Sequence, residues 1–145
     1  TNGINRPEAG KRTAPTARNM QEIDVYVALP DGLYLYEARA HVLKLSVPKD
    51  LRSLTGMQPF CGQAALNLVF VADYERMGNL DEEQKRFYAA TDAAYCSQNT
   101  YLFCASEGLN TVVRASIDRD NLSKAMQLRP TQRIVLAQTV GYPAE

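Results

Sequence analysis

The 145-residue chain holds a single histidine, three cysteines, no excess of either charge and no long apolar run. Each scarcity removes a class of function. With His41 alone, a Ser-His-Asp triad, a Cys-His pair or a multi-histidine metal site has no second member. His41 falls in a segment read as strand and is expected to be a surface residue or one satisfied locally. Sixteen Lys/Arg balance sixteen Asp/Glu and are scattered rather than blocked, which leaves no electrostatic footprint for nucleic acid or anionic lipid. The longest apolar run, residues 64–72, is interrupted by Asn67 and falls far short of the roughly 20 residues that span a bilayer, so neither nucleic acid nor membrane is expected as a partner. An odd number of cysteines argues against a disulfide framework and for a reducing compartment. Cys96 and Cys104 lie on one expected helix, about 12 Å apart along its axis, beyond disulfide reach, and read as small buried hydrophobes. No Gly-rich phosphate loop of either common spacing occurs. If the chain is catalytic, a cofactor must bring the reactive atom.

The chain otherwise has the composition of one compact domain, 46% apolar and 22% charged, long enough to bury roughly 68–70% of its unfolded surface without a disulfide or metal. Residues 1–18 show almost no apolar periodicity and read as irregular backbone over a surface or around a ligand. Ile23, Val25, Val27 and Leu29 then alternate with polar or small residues. Pro30, Asp31 and Gly32 supply turn chemistry, and residues 33–38 alternate again, which predicts a β-hairpin. A further strand is expected over residues 41–47, and a short helix from Pro48 to Gly56. Residues 66–73 form a dense Leu/Val/Phe run, the pattern of a central strand buried on both faces. Asp81, Glu82 and Glu83 open a long helix ending at Glu107 and Gly108. Its interior of Ala, Tyr, Cys, Ser, Gln and Asn predicts close approach of other backbone, at the centre of the protein or of a dimer. A second helix is expected over residues 118–128 and a last strand over residues 132–140. This order predicts an α+β fold with a largely antiparallel or mixed sheet.

Two segments carry candidate chemistry. Residues 12–21 are dense in hydroxyl, amide and guanidinium groups immediately before a strand. Such a loop offers donors and acceptors to a flat, heteroatom-rich ligand, or else is capped by its own Thr and Asn side chains. At Glu107 and Gly108 the glycine is suited to a helix C-cap and leaves a backbone N–H open to a ligand.

Taken in order, Arg12, Thr13, Ala14, Pro15, Thr16, Ala17, Asn19 and Gln21 resemble the Pro-Ser-Ala-x-Asn-x-Gln flavin loop of the nitroreductase superfamily, in particular the branch with the thiazole-forming oxidases. Ser97, Gln98 and Asn99, then Ala105, Glu107, Gly108, Leu109 and Thr111, then Val140 to Pro143 complete the likeness, which covers nearly the whole chain. Thr16 stands where the family has Ser and keeps the hydroxyl. The resemblance implies a nitroreductase-like α+β fold, with a mixed, mostly antiparallel sheet packed on a long central helix. It further implies a homodimer with FMN at the subunit interface, NAD(P)H as hydride donor, and a nitroaromatic, quinone or similar small molecule as electron acceptor. On that match Arg12, Pro15, Thr16, Ala17, Asn19 and Gln21 contact the cofactor, while Glu107 and Gly108 face the flavin edge where hydride arrives. Metal plays no part. The family's Arg-rich phosphate-binding segment has no counterpart in residues 1–18, so the chain is expected to be a single domain truncated at its N-terminus. The alternative is a non-catalytic flavin-binding or interaction module on the same dimeric scaffold. A cytoplasmic location is expected, or a periplasmic one if a signal peptide preceded the missing segment.

Overall fold

Side-chain alternation builds the sheet of the computed structural model, which describes residues 1–143. In β1 (Ile23–Leu29), Ile23, Val25 and Val27 point to one face while Tyr26 and Ala28 point to the other. Leu29 pairs with Gly32, so Pro30 and Asp31 alone make the turn into β2 (Gly32–Glu37). The hairpin is as expected. Then follow β3 (Val42–Val47), β4 (Leu66–Asp73), β5 (Asn110–Arg114) and β6 (Gln132–Gly141). The strand order is β3-β2-β1-β4-β6-β5, and every neighbouring pair is antiparallel. Lying between β1 and β6, β4 is buried at every position after Leu66, which explains its nearly unbroken apolar run.

Two layers cover this sheet. Helix α1 (Glu82–Ser106) packs on the face formed by Val25, Val27, Leu68 and Phe70. On the other face, α2 (Arg119–Ala125) sets Leu122 against Tyr26, Val69 and Val71. A capping box starts α1: Gln84 N donates to Asp81 Oδ1 at 2.8 Å, and Asp81 N donates to Gln84 Oε1 at 3.3 Å. Its buried positions, Ala89, Asp92, Ala93, Cys96, Ser97, Thr100 and Cys104, are all small or short and recur at helical spacing. The helix can therefore sit close on the sheet. All three cysteines are buried and unpaired.

Several local expectations are corrected. Between Pro48 and Gly56 only one 3₁₀ turn forms, Arg52–Leu54. The Asp50 carboxylate takes the Arg52 backbone N–H and its guanidinium, while Leu51 and Thr55 are buried as plugs. So few residues favour these contacts over a costly helix nucleus. His41 is a turn residue with φ of 55° rather than part of a strand. It is exposed, and its Nδ1 lies 2.9 Å from the Tyr36 hydroxyl. α2 stops at Ala125, where Gln127 takes a left-handed φ of 57°. Strand β5 goes unforeseen, although Thr111, Val112 and Val113 form a β-branched run. It is five residues long and exposed at its edge, so it carries no core periodicity.

Candidate functional site

Strain concentrates in the loop before β1. Arg18, Asn19 and Gln21 have φ of 50°, 56° and 50°, a region that L-residues other than Asn and Asp seldom enter. Arg18 and Gln21, two such residues flanking Asn19 and Met20, persist only when the surroundings over-determine them, and this strain clusters at functional sites. The fixing bonds are present. Gln21 N donates to Thr16 Oγ1 at 3.0 Å, Gln21 Nε2 donates to Asn19 Oδ1 at 2.9 Å, and Arg12 Nε donates to Gln21 Oε1 at 2.9 Å. The loop thus caps itself with its own side chains. It also leaves Pro15, Arg18 and Asn19 exposed.

Beneath it lie two buried carboxyls. Thr16 Oγ1 donates to Glu22 Oε2 at 3.1 Å, and Ala17 N donates to Asp92 Oδ2 at 3.1 Å. Burial, with the facing Asp92 carboxyl, pushes Glu22 up to about 7. Cys96, one turn further along α1, is pushed up to about 12 by the same burial, so it is an inert thiol. A cavity of about 10 Å³, lined by Arg12, Thr16, Gln21, Asp92 and Cys96 among others, has room for about one water.

Glu107 and Gly108 are elsewhere. Glu107 is the C-cap of α1; Gly108 has φ of 66°, and Leu109 N donates to Cys104 O at 2.8 Å in a Schellman-type closure. Both residues are exposed, and a Cβ on Gly108 would meet nothing within 4 Å. Fifteen residues separate Glu107 from Asp92, the loop's anchor, which is about 22 Å along the helix axis. Arg12, Thr16, Ala17, Asn19 and Gln21 are therefore brought together within one protomer, and Glu107 and Gly108 are not brought to them. Near that far end, Phe60, Gln63, Thr111, Thr139 and Tyr142 line an open cleft of about 560 Å³, a volume suited to small molecules.

The outward face of α1 reverses the usual amphipathic order. Phe87, Tyr95, Leu102 and Phe103 are 66%, 48%, 61% and 58% exposed, with Ala90 and Ala94 exposed between them. Bulky apolar groups lie outside and small ones inside, which leaves an apolar patch exposed along this face. The expectation of a helix buried at the centre of the protein or of a dimer is met within the protomer on the sheet-facing side alone.

One polar cluster escaped the sequence reading. Arg114, at the end of β5, is buried; it donates to Thr55 O at 2.7 Å, Thr139 Oγ1 at 2.8 Å and Asn67 Oδ1 at 3.0 Å. It has no carboxylate partner among the described residues, and desolvation lowers its pKa. Asn67, the residue that breaks the apolar run, is thus an acceptor for a buried cation.

A family model described as the Nitroreductase family matches residues 7–142. A nitroreductase crystal structure from Ralstonia eutropha superposes with a TM-score of 0.94 at 44% identity, covering 99% of this chain and 69% of that one. A nitroreductase of Methanocaldococcus jannaschii is 29% identical over 115 residues, 72% of this chain; the match spans 58% of the relative's length. More distant chains share the fold. One belongs to the E. coli microcin synthetase complex, with a TM-score of 0.85 at 19% identity, covering 99% of this chain and 60% of that one. Another is the NADPH:FMN oxidoreductase of Vibrio harveyi in complex with NAD+, with a TM-score of 0.69 at 20% identity, covering 92% and 55%. No helix among the described residues is long and apolar enough to cross a membrane.

Proposed function

The chain belongs to the nitroreductase family, and from that premise we propose that it acts as an FMN-dependent oxidoreductase. NAD(P)H is the donor, and a nitroaromatic, quinone or similar small molecule is the acceptor. The observation that carries this reading is the strained loop at residues 18–21, held by its own hydrogen bonds, in which the exposed Asn19 accepts from Gln21 through Oδ1 and keeps its Nδ2 group for a heterocycle. When bound, FMN supplies hydride and electron transfer, chemistry that no side chain here provides. The residues present fit that group at its ring end. Pro15 offers an apolar edge and Asn19 a donor, while Thr16 Oγ1, donating to Glu22 and accepting from Gln21 N, holds the loop in shape beneath them. Arg12, tied to Gln21, stiffens the loop.

Because the loop and the end of α1 are about 22 Å apart along the helix, Glu107 and Gly108 can join such a site only from a second copy. The exposed Phe87, Tyr95 and Leu102 supply the apolar surface for a two-fold contact. In this arrangement one protomer's loop meets the partner's helix terminus, and the homodimer is the functional unit.

The test is a titration with FMN followed by flavin fluorescence, then anaerobic addition of NADH or NADPH. Saturable quenching followed by bleaching of the flavin band is expected. Absence of binding overturns the proposal; binding without reduction by either nucleotide replaces it with a flavin-binding scaffold. Asn19→Ala should weaken FMN binding by about 0.5–1.5 kcal/mol, or about 2–10-fold. An unchanged affinity removes Asn19 from the site. Gly108→Val separates capping from cofactor contact. A Cβ there is unobstructed within the protomer, so the left-handed φ alone should cost about 1–2 kcal/mol in a thermal melt. Stopped-flow flavin reduction should fall further than that loss explains. A fall matching only the lost folded fraction makes Gly108 a cap and nothing more.

A further inference from the structure

Under the loop, the carboxyl groups of Glu22 and Asp92 face each other, out of reach of solvent. Glu22 immediately precedes β1, and Asp92 comes from the sheet-facing side of α1. Each holds a different part of the loop. Glu22 Oε2 accepts from the Thr16 hydroxyl, whose oxygen in turn accepts from Gln21 N; Asp92 Oδ2 accepts from Ala17 N. Read as a carboxylate oxygen, Glu22 Oε1 is buried with no partner, a cost seldom left standing in a folded protein. Two adjacent buried carboxylates would also repel each other with little screening. One proton resolves both problems, since a protonated Oε1 becomes a donor and Asp92 is the acceptor facing it.

We propose that Glu22 and Asp92 are positioning residues that hold the loop at residues 15–21 through a single proton shared between their carboxyls. This rests on the reading of that loop as the flavin-binding segment. The other groups facing the pair give it no counter-charge at contact. Arg12 lines the same small cavity but is bonded to Gln21 Oε1 and Asn2 O. Cys96 is a neutral thiol. Asp73 meets Glu22 through its backbone N–H, while its side chain pairs with Arg76 and Arg129. The sign follows. Glu22 is raised from 4.5 to about 7, so the anchoring is complete below its unfolded value and is lost as pH rises through about 7. Above that, Glu22 Oε1 no longer carries the proton that bridges it to Asp92, and the loop loosens.

Without FMN, amide hydrogen exchange reads the loop directly. The protection factors of the Ala17 and Gln21 amides, corrected for intrinsic rates, should fall about tenfold or more between about pH 5.5 and about pH 8.5. Carboxyl-carbon NMR should show one group titrating near 7. In Glu22→Gln the amide keeps an acceptor for Thr16 and a donor for Asp92 at every pH. Its protection should stay high and flat, and the titration near 7 should vanish. If Glu22→Gln does not fold, judged by far-UV circular dichroism, Asp92→Asn is measured instead and should likewise flatten the profile. A wild-type profile retained in the variant, or no carboxyl titrating between about pH 6 and about pH 8, overturns the proposal. FMN affinity measured across the same pH range should fall in the wild type and stay flat relative to it in Glu22→Gln; the phosphate of FMN titrates identically with both proteins. A wild-type fall that persists in the variant also overturns the proposal. Failure of both proteins to bind FMN at any pH, with the exchange result intact, overturns the flavin reading instead.

Discussion

Gly56→Ala is expected to destabilise the protein by about 3 kcal/mol, combining overpacking with loss of a charged hydrogen bond. A Cβ at position 56 would stand 1.9 Å from Arg114 Nη1, 3.0 Å from its Cζ and 2.8 Å from Cys61 Sγ. The guanidinium cannot step aside, because the same nitrogen donates to Thr55 O while the other terminal nitrogen holds Asn67 and Thr139. Moving it strands a buried cation that already lacks a carboxylate among the described residues. For a chain of this size the melting temperature should fall by about 10 °C. A shift of about 2 °C or less would show that the cluster is more pliable than its geometry. The glycine here answers to a close approach, with no unusual φ required.

Ala94→Arg should separate assembly from folding. From the sequence, a helix at the centre of the protein or of a dimer is one in which an arginine would disrupt both assembly and fold; but Ala94 is exposed within the protomer and lies among the outward Phe87, Tyr95 and Leu102. In an isolated protomer the change should stay within about 0.5 kcal/mol. Across a two-fold contact, each copy would bury an unpaired charge beside its twin. The dimer dissociation constant should then rise about a hundredfold or more. Light scattering and circular dichroism together decide the matter: a folded monomer is expected. An unchanged dimer moves the contact off this face, and an unfolded chain shows that Ala94 is needed by the protomer itself.

Where the sequence was legible, a single local pattern was enough. The period-two alternation of Ile23, Val25 and Val27, with Pro30 and Asp31 after it, specifies a hairpin without outside help. Asp81 and Gly108 mark the ends of α1 by capping chemistry alone. Strand β5 was missed because an edge strand buries too little to impress a period on its residues. The short helix after Pro48 was misplaced because Leu51 and Thr55 serve as plugs for the sheet rather than as one face of a helix. Asn67 read as an interruption, since its partner Arg114 lies 47 residues away.

The same division runs through the candidate site. Residue types and spacing determined by themselves that residues 12–21 form a polar loop and that Glu107 and Gly108 end a helix, and they left no side-chain constellation of the common catalytic kinds. Only the tertiary structure decided that Arg18, Asn19 and Gln21 are held in left-handed backbone, and that Glu22, just before β1, and Asp92, on α1, meet beneath them. It also decided that the two candidate segments stand at separate stations along α1. The physical reason is range. Alternation, capping and turn chemistry act over a few residues and are written in order, whereas charge pairing, burial and the reach of a helix depend on which distant residues share a surface.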